Sequence, residues 1–108
     1  MNVTYTDRVQ DWPEAFALAQ KATERLAEIL KEDVDEVSGE WDTAEGERGP
    51  ELSLRVRDAD GEAENQIRLN ELREKPRTSI FLYGLWGDLL HHRSKKILQQ
   101  ILANAENS

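Results

Sequence analysis

Two alternating runs, set on either side of "DADG", constrain this chain more than any other feature of it. Leu52, Leu54 and Val56 alternate with Ser53, Arg55 and Arg57. After the turn, Ala63, Asn65, Ile67 and Leu69 alternate with Glu64, Gln66 and Arg68. Period-two alternation marks a strand with one buried face, and Asp-Gly between two such runs signals a tight hairpin. With Asp60-Gly61 as a two-residue loop, Leu54 faces Ile67, Leu52 faces Leu69 and Arg57 faces Glu64. Apolar pairs then share one face and an opposite-charge pair the other, as cross-strand pairing favours. Val56 opposite Asn65 is the poor match of that register.

A third strand precedes the hairpin, where Val37, Gly39, Trp41 and Thr43 alternate with Ser38, Glu40 and Asp42; "EGERGP" at 45–50 then reads as a loop. Upstream, Asp11-Trp12-Pro13-Glu14 predicts a helix start with Asp11 as the cap. Ala15, Leu18, Ala19, Ala22, Leu26, Ile29 and Leu30 continue it at helical spacing over about 12–32. After a polar stretch at 70–79, a last helix is expected from near Pro76 or Ser79 to about Ala103. The order helix, strand, strand, strand, helix predicts an α+β fold: a three-stranded antiparallel sheet with two helices packed on one face. The 108 residues suffice for one domain with its own core, spanning 1–108, with 1–10 and 104–108 expected to fray.

The last helix carries most of the apolar surface. At about 100° per residue, Tyr83, Trp86, Leu90, Ser94, Ile97 and Ile101 form one stripe. Leu82, Leu85 and Leu89 widen it on one side early, Leu98 and Leu102 on the other side late. The early half is expected to pack on the sheet and the first helix. The late half is expected to reach a second partner, most simply another copy of the chain. Tyr83, Trp86, Ile97, Leu98, Ile101 and Leu102 are therefore the interaction candidates. Gly84 and Gly87 interrupt this helix, each at about 1 kcal/mol relative to alanine. Close approach to the alanine face of residues 15–22 would offset that cost.

The polar side holds the chain's two histidines. Asp88 stands three and four residues before His91 and His92, within side-chain reach on a helix. Asp88, His91 and His92 are the metal candidates, but a zinc site takes three or four ligands and one turn of helix supplies a pair. Asp88, His91 and Ser94 match the residue types of an acyl-transfer triad. A mid-helix serine, however, has no free amides nearby for an oxyanion hole. The glycines do not form a phosphate-binding loop, since none opens a helix after a strand. The expectation is a protein that is not an enzyme and needs no cofactor.

Charge separates along the chain. Residues 33–66 carry twelve acids and three bases, whereas residues 67–108 carry four acids and seven bases, within a total of −8. The basic end supplies the anion-binding candidates Arg73, Lys75, Arg77, Arg93, Lys95 and Lys96. The element order resembles that of the double-stranded RNA-binding domain, and Gly49-Pro50 falls between the first two strands as in that family. The resemblance implies RNA contacts from a basic motif opening the last helix. Ile80, Phe81 and Leu82 stand there instead, and a charge of −8 repels polyanions. Self-complementation between the acidic middle and the basic end is the simpler expectation. Cysteine is absent, which removes disulfides and thiolate metal sites. The longest apolar run, Ile80 to Gly87, falls far short of the ~20 residues of a membrane span. The first residues lack the apolar core of a signal peptide. These features predict a cytoplasmic, non-enzymatic protein–protein interaction module. It would act through the last helix or a sheet edge on another protein or a second copy, with nucleic-acid or anion binding as the alternative.

Overall fold

The two alternating runs do form a hairpin, two residues out of the expected register. The structure, a computed structural model, describes residues 1–106; positions 107 and 108 of the expected tail lie outside the described residues. Strand β3 (Gly49–Arg57) pairs antiparallel with β4 (Glu62–Ile67), with Leu52 opposite Ile67, Leu54 opposite Asn65 and Val56 opposite Ala63. Asp58 sets this register. Its carboxylate accepts hydrogen bonds from the N–H of Asp60 (2.9 Å) and of Gly61 (3.1 Å), and its own N–H donates to the Gly61 carbonyl at 3.0 Å. The loop thereby becomes Asp58–Gly61, an aspartate-stabilised turn, and not a two-residue one. A slip of two leaves every side chain on the same face. It also gives two cross-strand ion pairs where one was expected: Arg57–Glu62 at 2.9 Å and Arg55–Glu64 at 3.2 Å.

The fold is α+β, as expected, but the sheet has four strands and is mixed. Strand β2 (Ser38–Gly46) pairs antiparallel with β3 through a Glu47-Arg48 turn, closed by Gly49 at φ +116°, a conformation that favours glycine. Strand β1 (Asn2–Tyr5), in the segment expected to fray, pairs parallel with β2, Asn2 against Ser38 through Tyr5 against Trp41. The three-stranded antiparallel sheet is thus corrected, and so is the resemblance in element order, by an added parallel edge. A parallel neighbour requires a long crossover. Here it consists of α1 (Asp7–Gln10), α2 (Pro13–Leu30) and a 3-10 turn at Lys31–Glu36. Asp11 does not cap α2: it closes α1, donating its N–H to the Asp7 carbonyl at 2.8 Å, and Trp12 stands at the start of α2. The helix stops at Lys31, which holds a positive φ of 52° without being glycine.

The register places three rows on the inner face: Val3, Gly39, Val56 and Ala63; Tyr5, Trp41, Leu54 and Asn65; Thr43, Leu52 and Ile67. Helix α2 adds Ala15, Ala19, Ala22, Leu26, Ile29 and Leu30 to this core. A short α3 (Leu69–Leu72) leads into α4 (Lys75–Glu106), which adds Thr78, Phe81, Leu82, Leu85 and Leu89. Thr78 donates its hydroxyl to the Leu72 carbonyl at 3.0 Å, joining the two helices. The other sheet face is polar, with Asn2, Thr4, Ser38, Glu40, Arg55 and Arg57 around a shallow depression. The molecule measures 57 × 30 × 26 Å. Its long axis reflects α4, about 48 Å of helix at ~1.5 Å per residue, of which Ser94 to Glu106 is exposed throughout.

Candidate interaction surface

Helix α4 carries two apolar stripes, and the core takes only one of them. The buried residues Thr78, Phe81, Leu82, Leu85 and Leu89 lie on one side of the wheel. Beyond Leu89 that side turns polar and clamps the β3–β4 loop. The His92 ring lies against Gly61, where an added Cβ would sit 3.0 Å from it. Arg93 donates to Asp58 at 3.1 Å and lies near Asp33 and Asp60, both at 3.7 Å; Lys96 pairs with Asp60 at 3.0 Å. The Asp58 side chain is only 2% exposed, so Arg93 is the cation that pairs with a nearly buried carboxylate. Hydrogen bonding to Asp58 is also the main reason the Arg93 guanidinium is held above its ordinary pKa. Arg93 further lies over the Trp86 ring, 5.3 Å from its centroid. The clamp fixes the direction of α4 as it leaves the sheet.

The second stripe faces outward. Ile80, Tyr83, Leu90, Ile97, Leu98, Ile101 and Leu102 are each between 40% and 71% exposed. Leu90, in the early half of the stripe expected to pack inward, lies on the surface instead, as does the interaction candidate Tyr83; Trp86 alone of the three is half-buried, against the core. The wheel held two stripes on well-separated sides, and the Leu82, Leu85 and Leu89 side packs better against the sheet. Gly84 and Gly87 are exposed, and nothing lies within 4 Å of the position a Cβ would take at either. The close helix contact expected of them is absent. Ile80, the most exposed of the seven, stands with Leu90 outside the interaction candidates read from the sequence. Its signal was a place on the same side of the wheel as Tyr83, Gly87 and Leu90.

The remaining candidates scatter. His91 is exposed, its ring 6.3 Å from that of His92, which joins the clamp. Among the described residues, no three or more His, Cys, Asp or Glu side chains are grouped so as to hold a metal ion. Of the six basic candidates, four are engaged by acids. Arg73 meets Glu14, Arg77 meets Glu74 at 2.7 Å and Glu71 at 3.2 Å, and Arg93 and Lys96 form the clamp. Lys75 and Lys95 have no ion pair among the described residues. Of the four engaged, Arg93 and Lys96 pair with acids of the middle segment, whereas Arg73 and Arg77 pair with acids outside it. No helix among the described residues is long and apolar enough to cross a membrane. No protein-family model, curated protein or solved structure matches the chain.

Proposed function

We propose that this is a small non-enzymatic protein-interaction domain of the cytoplasm, and that the outward stripe of α4 is the surface it uses. One observation carries this: seven large apolar side chains stand open along a single helix that the clamp holds in a fixed direction. With roughly 100 Å² open at each, the stripe presents about 700 Å², well above the few hundred Å² of ordinary surface patches. At about 25 cal/mol per Å² that area is worth many kcal/mol once covered, before the costs of association. A long, narrow, straight stripe fits an amphipathic helix laid along it better than a globular surface.

A photo-reactive residue at position 101, compared with one at position 57 on the polar sheet face, tests the proposal in the cell that makes the protein. Protein adducts from position 101 and none from position 57 are expected. Equal labelling from both positions would remove the stripe as an interaction surface.

A further inference from the structure

We propose that the helix covering α4 is the α4 of a second copy, running antiparallel; this rests on the interaction proposal above and names its partner. Ile80, Tyr83, Gly87, Leu90, Ser94, Ile97 and Ile101 follow one another at spacings of three and four, the seam of a coiled coil. Position by position, the seam is not uniform. Tyr83, Leu90 and Ile97 occupy one of its two rows, all large. Gly87 and Ser94 sit in the other row, between Ile80 and Ile101.

That pattern decides the direction of the partner. In a parallel pair identical residues meet. Gly87 would face Gly87 and Ser94 would face Ser94, leaving gaps between three large layers. In an antiparallel pair the rows cross. Gly87 then faces the partner's Leu90, Ser94 faces the partner's Tyr83, and Ile80 faces the partner's Ile97. Each contact occurs twice about a two-fold axis, as an isologous interface requires. Small against large in successive layers is how close packing is achieved. The open space over Gly87, with nothing within 4 Å of its missing Cβ, becomes the hole that receives a leucine. This gives a reason for a helix-weakening residue on an exposed face.

Area and charge agree with the pairing. At roughly 100 Å² each, the five large seam residues with the flanking Leu98 present about 600 Å² per chain, the greater part of the ~800 Å² per partner of a standard stable interface. No seam residue is charged. Between Ile80 and Glu106, Asp88 and Glu106 are set against Arg93, Lys95 and Lys96, so two copies of a chain of net −8 meet along a segment that is not itself acidic.

Sedimentation equilibrium on the full chain at micromolar concentration is expected to give twice 12.4 kDa. Ile97→Glu, at a position outside the core, is expected to give a folded monomer. Gly87→Leu fills the hole and is expected to weaken association by about tenfold or more. The chain has no cysteine, so two single variants report direction. Tyr83→Cys alone and Ser94→Cys alone are expected to give no disulfide-linked dimer on mild oxidation, and their mixture to give one. Linked dimers from each variant alone would mean a parallel pair and overturn the arrangement. A chain that stays monomeric overturns self-pairing. If such a monomer still labels another protein from position 101, the interaction surface survives without it.

Discussion

Thr23 ties three elements together with one hydroxyl. It accepts from the Tyr5 hydroxyl and from the Trp41 indole N–H, each at 3.0 Å, and donates to the Ala19 carbonyl at 2.9 Å. Thr23→Val keeps the shape and strands two donors beside the core. Unfolding by urea is expected to show a loss of about 2–3 kcal/mol with unchanged slope, and Thr23→Ser a much smaller one. Asp42 joins the start of α1 to β2. Burial opposes its ionisation, but the Thr43 N–H at 2.7 Å, the Thr6 hydroxyl at 2.9 Å and the nearby Arg8 and Arg55 prevail and hold its carboxyl below the ordinary value. A depressed carboxylate adds stability above its unfolded pKa and loses it as pH falls through the folded one. Asp42→Asn is therefore expected to be less stable than the native chain at neutral pH. The gap should close below about pH 4, as thermal melts across an acid series would show.

At the scale of elements, the β3–β4 loop and α4 stabilise one another. Asp58 shapes the turn with one carboxylate oxygen and holds Arg93 with the other. Arg93→Ala leaves that carboxylate nearly buried and unpaired, and is expected to cost about 3 kcal/mol, read as a lower urea midpoint. Adding the loss of Asp58 also removes its bonds to the Asp60 and Gly61 amides, so the double variant is expected to be less stable than Arg93→Ala but by less than the sum of the two single losses. Gly84 is simpler. It is exposed, lies off the proposed seam and has free space where a methyl would go. Gly84→Ala is expected to stabilise by up to about 1 kcal/mol, seen as a raised melting temperature, with association unchanged. The sequence alone suggested the opposite for these glycines. Their spacing on the wheel is the same whether a neighbour approaches them or water does.

At the scale of the molecule, the body ends well before the chain does. Ser94 to Glu106 is exposed throughout, and no residue of that stretch belongs to the buried core. A chain ending after Lys96 retains the Arg93 and Lys96 contacts. It is expected to keep its near-ultraviolet circular dichroism and to lose self-association, because Ile97 and Ile101 go with the deleted turns.

The division between sequence and tertiary structure follows from the range of the interactions. Alternation in 52–57 and 63–67 and helical spacing in 15–30 are local, so they determined by themselves which residues share a face, and with that the α+β class and most of the core. The hairpin register lay in a carboxylate, Asp58, whose bonds to the Asp60 and Gly61 amides moved the pairing by two without turning any side chain over. Strand β1 is four residues long, too short for a pattern, and becomes a strand only because the α1–α2 crossover brings it alongside β2. The choice between the two apolar stripes of α4 also fell to the tertiary structure. Both are hydrophobic, and only the geometry of the sheet and the clamp on the β3–β4 loop decide which is buried and which is left exposed.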